Sequence, residues 1–153
     1  MPRTYKRKVY ASRDKYSVEQ RYCQCDIPAI GDAQVVMVPG ATFEGMRKVK
    51  HLTVTLSGPA DTNVLWAIVY NPAGVVPGAL GQIGAANTSV NVYNPNQFVM
   101  ASGVANFTAG PTRIRSPLSR NLNSGDSVYL LMHSLEGAVA SVWVELKYAI
   151  TLQ

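Results

Sequence analysis

The sequence predicts an all-β protein, a two-sheet sandwich of about eight antiparallel strands preceded by a basic arm. Three observations carry that prediction. Along residues 142–153, Val142, Val144, Leu146, Tyr148, Ile150 and Leu152 alternate with Trp143, Glu145, Lys147, Ala149, Thr151 and Gln153. Period two over such a length means a strand with one face in a core. Glycine and proline, 12 and nine in number, punctuate the chain, and no amphipathic stretch of about ten residues or more has helical period. Finally, residues 1–21 hold seven Arg and Lys against Asp14 and Glu19, a net +5 that equals the charge of the whole chain.

Taken in order, residues 1–16 form the arm. Its start, Pro2-Arg3-Thr4-Tyr5-Lys6-Arg7-Lys8-Val9-Tyr10, has no apolar period and too few large hydrophobes to fold alone. Residues 17–153 form the folded domain, with Ser17–Cys25 as its first strand. Gln34–Val38 and Asn63–Tyr70 are apolar, largely β-branched runs closed by the turn signals Pro39-Gly40 and Asn71-Pro72-Ala73-Gly74. Between them Leu52, Val54 and Leu56 alternate with Thr53 and Thr55, while Val49 is out of phase, which predicts a bulge near Lys50-His51. Asn71–Asn96 is the longest stretch without a strong strand and reads as a surface loop with one weak strand at Ser89–Tyr93. Gln97–Val104, a short Thr112–Arg115 and Val128–Leu135 complete the set, the last following Asn121–Asp126, a loop by composition. About eight strands in about 135 residues fit the jelly roll, the eight-stranded member of the sandwich class.

At 153 residues the chain fits one domain. Charged residues make up 15% against a usual value of about 25%, and residues 22–153 carry seven of each sign, so the body is neutral. Such a surface has weak protection against self-association. Either other subunits cover much of it, which makes a homo-oligomer the expectation, or Ser, Thr, Asn and Gln supply an ordinary polar surface. Cys23 and Cys25 share one strand face two residues apart, poorly placed to bridge each other and two ligands short of a zinc site. They are expected to be buried free thiols in a reducing compartment. No window reaches about 18 consecutive apolar residues, so no membrane span is expected, and no apolar stretch follows the basic N-terminus as a secretory signal requires.

No motif for catalysis emerges. The phosphate-cradling loop and the dinucleotide fingerprint are missing. His51 and His133, the two histidines, lie in predicted strands without a carboxylate or cysteine at metal spacing, and Asp126 reads as a turn residue. The expectation is a non-enzyme with no metal, cofactor or small-molecule substrate. The arm does have a mechanism. Arg3, Lys6, Arg7, Lys8, Arg13 and Lys15 would contact phosphates and release condensed counterions, and Tyr5 and Tyr10, with Tyr16 and Tyr22 beyond them, would stack on bases of a single strand. The other readings are a solvated tail, or a nuclear import signal at Lys6-Arg7-Lys8 that is compatible with binding. Lys48 and Lys50 fall on one face opposite Val49. They either line the surface the arm occupies or protect a strand edge.

Four segments, Gly45–Lys50, Pro95–Gly103, Arg113–Asp126 and Lys147–Gln153, resemble capsid proteins of small circular single-stranded DNA viruses that encode a replication initiator, the circovirus-like group. The resemblance covers about a quarter of the chain, in the right order after a basic N-terminus. It implies a jelly-roll subunit, about sixty copies in an icosahedral shell, an inward arm on packaged single-stranded DNA, and a place in the virion. Arms in that family are usually longer and richer in arginine. Sixty copies of residues 1–21 supply about 420 basic side chains for a genome of more than about a thousand phosphates. Lys48 and Lys50, or counterions, must then add neutralising charge, or the arm chiefly ties subunits together. Two other classes remain open: a β-sandwich module for carbohydrate or protein with an incidental tail, and a small cellular nucleic-acid-binding protein that also binds through its folded face.

Overall fold

The long alternation near the C-terminus becomes the 13-residue strand at Ala140–Leu152, flanked on both sides by other strands. The computed structural model describes residues 16–42, 45–75, 77 and 98–152; within them there are nine strands and no helix. In chain order these are β1 (Ser17–Ile27), β2 (Ala33–Val38), β3 (Arg47–Ser57), β4 (Asn63–Asn71), β5 (Phe98–Asn106), β6 (Thr112–Ser116), β7 (Arg120–Leu122), β8 (Ser127–Ser134) and β9 (Ala140–Leu152). One sheet runs β1-β9-β3-β6, with β7 pairing β3 beside β6, and the other runs β2-β8-β4-β5; every pairing is antiparallel. The architecture is a β-sandwich. The chain changes sheet at each of the first three connections, stays for the β4–β5 pair, then crosses for β6 and β7, again for β8 and again for β9.

Alternation decides what fills the space between the sheets. Val142, Val144, Leu146 and Tyr148 of β9 and Val49, Leu52, Val54 and Leu56 of β3 meet Val64, Trp66, Ile68 and Tyr70 of β4 and Val128, Leu130 and Met132 of β8. Each fully buried aliphatic side chain contributes about 1.5–3 kcal/mol over leaving it in water. Trp66 lies against Gly103, its partner on β5, where an added Cβ would come within 2.9 Å of the indole.

The phase break in β3 is a bulge. Its register against β9 shifts between Lys50 and Thr53, and His51 takes a φ of 57°. The extra residue lets Val49 and Leu52, an odd number of positions apart, both face the core with 0% and 1% exposure.

Three readings change. Arg120–Leu122, which overlaps the start of the Asn121–Asp126 stretch that sequence alone assigns to a loop, pairs with Arg47–Val49 as β7. Three residues are too few to show a period, and the fully buried Leu122 anchors them. Cys23 and Cys25 are free but only half-buried, because β1 is an edge strand paired on one side, to β9. Burial pushes both thiols up, and Cys23 and Asp26 add to that at Cys25. The weak strand expected at Ser89–Tyr93 lies outside the described residues, as does the arm up to Lys15.

Candidate nucleic-acid interface

The side of the β1-β9-β3-β6 sheet turned away from the core collects cations. Antiparallel register sets Gln20, Lys147, Thr53 and Arg115 in one row across the four strands, and Tyr22, Glu145, Thr55 and Arg113 in the next. Arg113 and Arg115 are about 7 Å apart along β6, since strand residues of one face repeat every two positions. Lys147 and Arg115 flank Thr53 across two strand spacings, about 10 Å.

A cleft lies beside the bulge on this face. An open groove of about 490 Å³ is lined by Val18, His51, Thr53, Arg113, Arg115 and Lys147 among others, and none of the described residues lining it is a carboxylate. Among the described residues, none of these three cations has an ion-pair partner. Glu145, one row away, is held by its neighbours on β1: Gln20 Nε2 donates to its Oε1 at 2.8 Å and the Tyr22 hydroxyl at 3.4 Å.

Lys50 sits where the arm joins the body. Its Nζ lies 3.6 Å from the ring centroid of Tyr16, the residue before β1, a contact worth about 0.5–1 kcal/mol at an exposed site. Val18, two residues further on, already lines the cleft. Lys48 is separate. It borders a second open groove, of about 450 Å³, with Tyr70, Arg120, Asn121 and Asn123. The Arg120 guanidinium lies 4.1 Å from the Tyr70 ring centroid and 5.2 Å from that of Phe98. Lys48 and Lys50 therefore share a strand face but not a groove. The arm residues Arg3, Tyr5, Lys6, Arg7, Lys8, Tyr10, Arg13 and Lys15 lie outside the described residues.

Arg47 begins the same basic run but has a structural place. It is buried, and its Nη2 donates to the Pro39 carbonyl at 3.1 Å and the Asp126 carbonyl at 3.3 Å. Burial lowers its pKa, while Tyr148 and Asp126 oppose that. Asp126 is the turn residue the sequence suggests and also a buried hub. Its carboxylate accepts from the Tyr70 hydroxyl at 2.6 Å, from Asn123 N–H at 2.8 Å and from Ala73 N–H at 3.0 Å. Burial and this hydrogen bond raise the Tyr70 pKa against the nearby Arg120 charge. His133 is a clamp. Its Nδ1 lies 2.9 Å from the Gly31 carbonyl and 2.8 Å from Asp32 Oδ1, and since a carbonyl only accepts, Nδ1 carries the proton.

Sequence reasoning missed Arg113, Arg115 and Lys147 as site residues. Part of the signal was there, because alternation alone puts Lys147 on the face opposite Leu146, and Arg113 and Arg115 on the face opposite Ile114. Their convergence across Thr53 depends on strand order. Among the described residues no group of three or more His, Cys, Asp or Glu is placed to hold a metal ion, and no helix is long and apolar enough to cross a membrane.

The fold and site define a class: an antiparallel β-sandwich with a cationic groove on one sheet. No protein-family model matches the chain, and no curated protein matches it. Among solved structures it is similar to one of infectious bursal disease virus, Gx strain, at 11% identity and a TM-score of 0.28. That match takes in all of this chain and spans 45% of the other.

Proposed function

We propose that this protein is a non-enzymatic viral coat protein, of the circovirus-like type, that self-assembles and holds single-stranded DNA through its basic N-terminal arm. The carrying observation is the distribution of charge: all of the net +5 lies within residues 1–21, and the arm joins a sheet face that bears Lys50, Lys147, Arg113 and Arg115. A polyanion held by the arm would meet matching charge on the body. Strand order supports reading the sandwich as a jelly roll, because β1-β9-β3-β6 facing β2-β8-β4-β5 is the arrangement two interlocked Greek keys produce. The neutral, charge-poor body supports subunit packing, and about sixty copies would close the smallest icosahedral shell. The virion is then the protein's destination, with Lys6-Arg7-Lys8 also suited to nuclear import.

The test is sedimentation and electron microscopy of the purified protein, with absorbance read at the nucleic-acid and protein maxima. Uniform shells carrying nuclease-protected nucleic acid are expected, and a stable monomer sinks the reading. Neutralising Lys6, Arg7 and Lys8 together should reduce encapsidated nucleic acid while shells persist. Loss of shells with unchanged nucleic acid per particle would instead make the arm a tie between subunits.

A further inference from the structure

We infer that the groove at the β3 bulge is a phosphodiester-binding site on the folded body, taking single-stranded nucleic acid beside the arm. This rests on the nucleic-acid reading above and locates a contact that the arm does not supply. Four observations converge on it. Arg113, Arg115 and Lys147 come from two strands that do not pair with each other, yet β3 between them brings all three to one groove. Among the described residues no carboxylate lines that groove, and none pairs with these cations. The three exposed cations stand about 7–10 Å apart on one face, where an anion between them is attracted by all three.

The third observation is strain. His51, at φ 57°, is one of two non-glycine residues with positive φ among those described, and it lines the groove. Left-handed backbone at a side-chain-bearing residue persists only when its surroundings impose it, and such outliers cluster at functional sites. Here the strained residue interrupts the β3–β9 register and sets its own exposed imidazole at the groove. The fourth is continuity. Tyr16 packs on Lys50 and Val18 lines the groove, so a single strand laid past Tyr16 meets Lys147 and Arg115 one row before Glu145, which shares the next row with Arg113. A phosphate backbone suits the site better than an isolated phosphate, because Lys147 and Arg115 stand about 10 Å apart.

Filter retention of a single-stranded oligothymidylate tests this, at about 16 nucleotides, the upper site size for one single-strand-binding domain. The full chain is titrated across salt concentrations as wild type, as the triple variant Arg113→Gln, Arg115→Gln, Lys147→Gln, and with Lys6, Arg7 and Lys8 changed to Gln. The triple variant should bind about a hundredfold more weakly at about 0.1 M salt, with a log-affinity against log-salt slope smaller by about two, the value for three phosphate contacts on a single strand. Should the triple variant unfold, Lys147→Gln and Arg115→Gln alone should each lower the slope by about 0.7. Wild-type affinity and slope in these variants, with a loss in the arm variant, would overturn the groove and leave the arm reading intact. No binding by the wild type would overturn both. Groove-dependent binding of heparin without binding of the oligothymidylate would overturn nucleic acid as the ligand.

Discussion

The two sheets share one core but differ at their backs. Behind the β1-β9-β3-β6 sheet lie Gln20, Thr53, Thr55, Arg113, Arg115, Glu145 and Lys147, and Trp143 there is 60% exposed. Behind the β2-β8-β4-β5 sheet, Ala67, Val69 and Leu131 have no exposure, with Leu65, Val99 and Tyr129 packed around them. The difference is written in the strands. β9 and β3 alternate apolar with polar, as strands do when one face meets water. β4 (Asn-Val-Leu-Trp-Ala-Ile-Val-Tyr-Asn) and β8 (Ser-Val-Tyr-Leu-Leu-Met-His-Ser) are apolar almost throughout, the pattern of strands buried on both sides. One back is built to meet polar or charged surroundings and the other is built to be covered.

Truncating one large side chain on each back gives the widest contrast. Leu131→Ala should cost about 2–5 kcal/mol of stability, the range for a fully buried leucine. Trp143→Ala should stay within about 0.5 kcal/mol of wild type, as exposed substitutions do. Urea denaturation of both variants measures this, and equal losses would erase the distinction between the faces.

A smaller effect is expected where the two sheets are joined at one end. Asp126→Ala strips the acceptor from the Tyr70 hydroxyl and from the Asn123 and Ala73 amides, and should cost about 1–3 kcal/mol. Oligothymidylate affinity should not change, since Asp126 is not among the residues lining the cationic groove. A matching loss of affinity would mean that the groove and this hub act as one unit.

The smallest effect concerns pH and separates the core from both backs. Tyr70 and Tyr148, packed between the sheets, have pKa values raised above 10.0, chiefly by burial. As pH rises, the unfolded chain therefore loses these protons before the folded one does. Their contribution is present in full below about pH 10 and declines as pH rises through the folded-state values. Tyr148→Phe should flatten that alkaline decline in a denaturation series. An unchanged slope would remove Tyr148 as a source of it.

Much of the fold was legible because alternation is a local property. The long C-terminal strand, the bulge at Lys50-His51, the end of β2 at Val38 and the turn at Pro72–Val75 all follow from period and from turn residues within a few positions of one another. β7 was not legible, since three residues carry no period and only pairing with β3 makes them a strand. The site was legible in part. Lys50 packs on Tyr16, whereas Lys48 borders a separate groove with Arg120, a division that alternation within one strand does not foretell. Arg47, from the same basic run, is buried against the carbonyls of Pro39 and Asp126.

By itself the sequence determined the class of fold, the inward set of each long strand and the concentration of charge at one end. These depend on side-chain period and composition, which the chain carries locally. Only the tertiary structure decided which strands are neighbours. Arg113 and Lys147 are 34 positions apart, and nothing local brings them together. They reach one groove because β3 lies between β6 and β9, and that groove sits at the β3 bulge. The physical reason is that strand order is settled by burying two apolar faces against each other, a condition on the whole chain that no single segment contains.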